Sequence, residues 1–117
     1  MGRNQIVGRI GEERVCRYLE SQNIKLIEKN WRGRAGELDL IAIDSSGVIR
    51  FIEVKTRTSL KFGDPLEAIN REKGIRLHKL AREWLVSNKS SNKFQIDCVS
   101  VLFINHDFVI DYREKVL

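Results

Sequence analysis

Two stretches close in sequence, residues 36–44 and 48–57, are rich enough in Ile, Val, Leu and Phe to read as strands, yet their charges are not scattered. Alternation puts Glu37, Asp39, Ile41 and Ile43 on one face of the first strand. It puts Ile49, Phe51, Glu53, Lys55 and Arg57 on one face of the second. Each face is apolar beside the connecting Asp44-Ser45-Ser46-Gly47 turn and charged at its far end. Both strands also carry apolar residues on their other face, as central strands do. The chain is therefore constrained to a sheet covered on both sides, with charged side chains gathered at one end.

The turn sets the register. A three-residue loop, Ser45-Ser46-Gly47, pairs Asp44 with Val48. Counting back, Ile43 meets Ile49, Ile41 meets Phe51, Asp39 meets Glu53 and Glu37 meets Lys55. Gly47 suits the left-handed position that such loops require. A two-residue loop would instead set Asp39 opposite Ile52. The first register matches apolar with apolar and leaves one uncomfortable pair, Asp39 with Glu53. Like charges opposite one another cost about 0.5 kcal/mol when exposed and more when buried. A divalent cation removes the conflict, because both carboxylates become its ligands. Mg²⁺ commonly takes one or two carboxylates, keeps several waters and completes its octahedron with phosphate. Lys55, on the same face as Glu53, could orient or deprotonate a water, or steady negative charge developing on phosphorus. The competing reading is a surface salt-bridge cluster in which Lys55 and a nearby arginine neutralise both acids. A Glu-x-Lys tripeptide is too common to decide between them.

The rest of the chain supplies the frame. Residues 9–22 predict an amphipathic helix, and residues 24–31 a first strand. A long helix is expected from about Pro65 to Val86, with a break near Asn70; Leu77, Leu80, Ala81, Trp84 and Leu85 form its core stripe. Residues 94–104 and 108–112 predict two last strands. The order αβββαββ implies an α/β domain whose central mixed β-sheet is flanked by helices. At 117 residues and 42% hydrophobic, the chain (1–117) builds one domain with a real core, which excludes a two-domain enzyme. No stretch approaches the roughly 20 apolar residues of a membrane span, and the N-terminus lacks a signal-peptide apolar run. A cytoplasmic protein with no membrane association is expected. Cys16 and Cys98 exclude a disulfide scaffold or a four-cysteine zinc site and read as two buried thiols. His78 and His106 read as surface or capping residues.

Two further residues bear on the acidic cluster. Glu12 shares a helix face with Gly8, Val15, Cys16 and Leu19. Burying an unpaired carboxylate costs several kcal/mol, so Glu12 either sits at the rim near the helix N-terminus or points at a cation. Gly8 and Gly11 beside it would let a backbone or a phosphate approach. Lys73 lies one turn before Leu77 on the apolar stripe of the later helix; it reads as a snorkelling lysine or as a phosphate contact beside the site.

Gly36-Glu37-Leu38-Asp39-Leu40-Ile41-Ala42 followed by Phe51-Ile52-Glu53-Val54-Lys55-Thr56-Arg57 resembles the signature of the bacterial YraN-like family. The resemblance takes in Asn30-Trp31-Arg32, Phe62-Gly63, Gly8-x-x-Gly11-Glu12 and Lys73, and covers nearly the whole chain in order. That family is similar to the restriction-endonuclease-like superfamily of PD-(D/E)XK nucleases, and within it to archaeal Holliday-junction resolvases. The resemblance implies an αβββαβ core and a Mg²⁺- or Mn²⁺-dependent nuclease hydrolysing DNA, with branched or repair intermediates as substrates. It implies Asp39 and Glu53 as metal ligands together with the backbone carbonyl of Val54, and Lys55 as the catalytic lysine. Glu12 would be the helix-borne acid beside the metal, and the product would keep a 3′-hydroxyl. No small-molecule cofactor is implied. The superfamily's Pro-Asp pair is absent, Leu38 preceding Asp39, and Val15 stands where the family usually has alanine; neither change removes a chemical group. Because resolvases make two cuts in a junction, the resemblance also makes a homodimer plausible.

Charge is distributed to match. The net charge is +5, but residues 1–35 carry eight Lys/Arg against four Asp/Glu, and residues 71–93 seven against two. Arg32, Arg34, Arg57, Lys61 and Lys73 flank the acids in sequence and are the candidate phosphate contacts. Residues 58–64 are expected to form a loop that closes over a nucleic acid strand. Nothing resembles a zinc finger or an RNP motif. Two readings stand beside the nuclease. One is a non-catalytic nucleic-acid-binding module of a repair or processing complex; the other is a small interaction protein whose acidic cluster is structural.

Overall fold

Residues 2–58 and 69–117 are described in the computed structural model, with Arg3 and Asn4 as backbone only. The elements run α1 (Arg3–Ser21), β1 (Lys25–Gly33), β2 (Gly36–Ile43), β3 (Ile49–Arg57), α2 (Arg71–Ser87), β4 (Phe94–Ile104) and β5 (Asp107–Arg113). The five strands form one sheet in sequence order, β1-β2-β3-β4-β5. Neighbours are antiparallel except β3 and β4, which run parallel. A parallel neighbour needs a crossover connection, and α2 lies in it.

Each helix covers one face of the sheet. Leu77, Leu80, Ala81 and Trp84 of α2 pack with Ile41, Ile49, Phe51 and Ile96. Val15 and Leu19 of α1 pack with Leu40, Ala42, Ile52, Val99 and Val101 on the other face. The expected mixed α/β arrangement is therefore what forms, and the predicted α2 stripe is its core. α1 begins at Arg3, earlier than its apolar pattern suggested. α2 begins only at Arg71, because extended Asn70 caps it: the Asn70 side chain accepts a hydrogen bond from the Lys73 N–H at 2.9 Å. Residues 59–68, where the expected helix start at Pro65 and most of the 58–64 loop fall, lie outside the described residues.

Gly11 has a packing role. A Cβ on it would meet Thr56 Oγ1 of β3 at 3.2 Å and Val101 of β4 at 3.4 Å, so glycine seats α1 directly on the sheet. Gly8 faces open space. Neither feature marks a ligand. Of the two thiols only Cys98 is buried; Cys16 is half-buried. Among the described residues, no helix is long and apolar enough to cross a membrane.

The β2–β3 hairpin takes the three-residue loop. Asp44 N–H donates to Val48 O at 3.1 Å, Gly47 N–H donates to Asp44 O at 3.0 Å, and Gly47 has φ +81°. Ile43 pairs with Ile49 and Ile41 with Phe51, as that loop dictates. Gly47→Ala is expected to lower stability by about 1 kcal/mol through left-handed strain alone. Urea denaturation would show it as a lower midpoint at unchanged slope.

Candidate functional site

The hairpin ladder does not continue to the charged end. Its last pair is Leu40 with Ile52, so Asp39 and Glu53 are not cross-strand partners as the register predicted. The reason lies in β2 itself. Strict alternation would put Leu38 on the face of Leu40 and Ala42, but Leu38 packs in the α2-side core while Leu40 packs on the α1 side. On the neighbouring strand the pairing steps from Lys29–Leu40 to Trp31–Leu38, and the intervening Asn30 takes φ +52°. The strands thus change face at Asp39. Its carboxylate turns toward β3, where Oδ2 accepts a hydrogen bond from the Val54 N–H at 2.8 Å. The predicted meeting of Glu37 with Lys55 is likewise replaced: Glu37 pairs with Arg32 of β1, 3.5 Å away and at the surface.

Asp39 and Glu53 nevertheless share one electrostatic environment. Burial, and then the charge of Glu53, push the Asp39 carboxyl up to about 6, against the opposing hydrogen bond from Val54. Glu53 is held from across the sheet's face: Lys73 Nζ, in the first turn of α2, lies 2.9 Å from Glu53 Oε1, with side-chain exposures of 16% and 12%. Burial works against the charge on Lys73, but the hydrogen bond and charge of Glu53 outweigh it, so Lys73 stands above its ordinary value. Lys55 stands below its ordinary value, through burial and then the adjacent Lys73 ammonium. Cys98, the ladder partner of Glu53 on β4, is also held as the thiol by burial and by that carboxylate.

The structure therefore brings Asp39, Glu53, Lys55 and Lys73 together, with the Val54 N–H bound to Asp39. Lys73 belongs to the cluster itself and not to its flank. Glu12 does not join: it is half-buried on α1, and among the described residues no three His, Cys, Asp or Glu side chains gather as a metal-holding group. Of the flanking cations, Arg32 is engaged with Glu37. Arg34 occupies the β1–β2 turn, whose backbone N–H donates to both carboxylate oxygens of Glu83 at 3.1 Å, tying that turn to α2. Arg57 ends β3. Lys61 lies outside the described residues. Sequence reasoning missed Glu83 as the anchor of Arg34; a lone glutamate on a charged helix face gives no signal for it.

A small α/β domain with a five-stranded mixed sheet, a helix on each face, and an acid–lysine cluster where its second strand leaves the third is what these features define. The chain belongs to the uncharacterised protein family UPF0102, whose model matches residues 11–101. The YraN-like resemblance of the motifs is thereby borne out. It is 44% identical to a UPF0102 protein of Beutenbergia cavernae over 97 residues, covering 82% of this chain and 81% of that one. It is 41% identical to a UPF0102 protein of Nocardia farcinica over 118 residues, 99% and 92% of the two chains. With a UPF0102 protein of Alkaliphilus oremlandii the identity is 33% over 115 residues, 96% and 97%.

Proposed function

We propose that this protein is a metal-dependent nuclease that hydrolyses DNA phosphodiester bonds, with branched or repair intermediates as its substrates. The observation that carries the reading is the convergence of Asp39, Glu53 and two lysines at the point where β2 leaves β3. A buried aspartate beside a second carboxylate that raises its pKa is an arrangement typical of functional sites. Two carboxylates with the main-chain carbonyl of Val54 would form an all-oxygen donor set. That set fits a hard divalent cation, Mg²⁺ or Mn²⁺, which fills its remaining positions with water and phosphate. Such a cation, when bound, stabilises charge on phosphoryl oxygens and acidifies water.

The chain's own groups do the rest. Asp39 and Glu53 fix the donor set, and the Val54 N–H holds the Asp39 carboxylate in place. Lys55, below the usual lysine range, accepts a proton from the attacking water more readily than a surface lysine; in its charged form it steadies the growing negative charge on phosphorus. Water attacks phosphorus in line as Lys55 takes its proton, the bond to the 3′ oxygen breaks, and that oxygen takes up a proton from solvent to leave as a 3′-hydroxyl. Arg32, Arg34 and Arg57 supply sequence-independent phosphate affinity that falls with salt. Two cuts in a branched substrate would call for a pair of chains.

The test is a cleavage panel: branched, flapped, linear and single-stranded DNA with Mg²⁺ or Mn²⁺, comparing wild type with Asp39→Asn and Lys55→Ala. Metal-dependent cleavage of at least one substrate, lost in both variants, is the expected result. No cleavage of any substrate, or cleavage indifferent to both substitutions, removes the reading. One observation favours a second reading: Lys73 satisfies Glu53 without any metal. A nucleic-acid-binding module without turnover would show salt-dependent binding and no cleavage by wild type.

A further inference from the structure

The Lys73–Glu53 contact reaches across two separately built elements, a strand and the first turn of a helix. It is not a snorkelling lysine, whose ammonium would seek water; both side chains are largely buried and the ammonium points inward at 2.9 Å. Its placement is fixed at the backbone, because the Lys73 N–H is the group that the Asn70 cap binds. Asp39 has a main-chain donor instead, while Glu53 has the Lys73 ammonium. Among the described residues, Lys55 and Lys73 set positive charge beside Asp39 and Glu53. The acidic pair can thus be folded into the domain before any metal arrives.

We propose that Lys73 is a resident counter-cation, which holds Glu53 in the metal-free protein and which a divalent ion must displace to reach that carboxylate. This rests on the metal-dependent reading above and adds how access to the site is controlled. The pair is hydrogen-bonded, charged and shielded from water, so breaking it weakens metal binding by about tenfold.

The experiment is calorimetric titration of Mn²⁺ into metal-free wild type, Lys73→Met and Lys79→Met. Met keeps the length and apolar body of Lys73. Lys79 is exposed on the same helix, so its substitution removes a positive charge without touching the pair. Lys73→Met is expected to bind Mn²⁺ about tenfold more tightly than wild type, and Lys79→Met is expected to match wild type. As a measurement independent of any variant, Mg²⁺ titration of wild type should move the Lys73 side-chain NMR resonances toward those of an unpaired lysine. Mn²⁺ affinity equal or weaker in Lys73→Met, or Lys73 resonances unmoved at saturating Mg²⁺, overturns the inference and leaves the metal-dependent reading standing. No Mn²⁺ binding by any of the three proteins overturns both.

Discussion

Asp39→Asn is expected to make the protein more stable and inactive at the same time. The Asp39 carboxyl is pushed from 3.8 up to about 6 by burial and by Glu53. A carboxyl with a raised folded-state pKa binds more protons folded than unfolded between those two values, so stability falls as pH rises through that window. At neutral pH the accumulated destabilisation is roughly 2–3 kcal/mol. Asparagine has no proton to lose there, and its side-chain oxygen can still accept the Val54 N–H that Asp39 Oδ2 accepts. The variant should therefore exceed wild type in urea denaturation of the metal-free proteins at pH 7.5, and most of the gap should be gone near pH 3.5, where Asp39 is largely protonated in both states. Cleavage should fall by at least about a hundredfold, since removing even an outer partner of a metal ligand costs about 10–100-fold. A stability gap that does not change between pH 3.5 and 7.5 would show that Asp39 carries no such strain. The trade is informative because a purely structural carboxylate behaves the other way: neutralising it lowers stability.

How much of this was legible in the sequence differs between the apolar and the charged residues. The strands and the hairpin were legible, because period-2 alternation and Gly47 are local signals with one geometric solution; Ile41 meets Phe51 as counted. The α2 stripe was legible for the same reason, at a period of 3.6. The charged end was legible only as a gathering of residues. Counting assumed that β2 stays regular, but it changes face at Asp39, opposite a β1 segment that contains left-handed Asn30. Main-chain conformation of that kind leaves no periodic trace. Lys73 stands out in sequence as a charge on an apolar stripe, yet its partner lies on β3, and nothing local in sequence links the two. Gly11 beside Glu12 reads as room for a backbone or a phosphate, and it is the sheet that takes that room. One signal was overlooked entirely: Asp97 interrupts the apolar run Ile96-Asp97-Cys98-Val99, where a charge demands a partner.

Asp97→Ala is expected to be the most destabilising substitution away from the acidic site. Asp97 is 0% exposed. It accepts hydrogen bonds from the Tyr112 hydroxyl, from Gln95 Nε2 at 2.9 Å and from the Lys115 N–H at 2.9 Å. Arg50 Nη1 stands 3.5 Å from it, while the same guanidinium reaches Asp44 at 3.1 Å and Glu114 at 2.9 Å. Burial and the bond to Asp97 hold Tyr112 as the phenol, well above its ordinary value. Alanine would leave the tyrosine hydroxyl and the Lys115 N–H without this acceptor in a site water does not freely reach, a loss of about 3–5 kcal/mol. Asp97→Asn, which retains an acceptor oxygen, should lose less. The damage should also have a direction. The C-terminal residues are tied down by Lys115 to Asp97 and by Val116 N–H to Ile96 O at 2.9 Å. Leu117 then packs so close to Gly74 that a Cβ there would meet it at 3.1 Å. Gly74 follows Lys73, so this tail supports the very turn of α2 that holds Glu53. Hydrogen exchange in Asp97→Ala should therefore rise first at residues 112–117 and in the first turn of α2, ahead of β2 and β3. Uniform loss of protection across the sheet would mean that Asp97 supports the core alone and has no hold on the turn that carries Lys73.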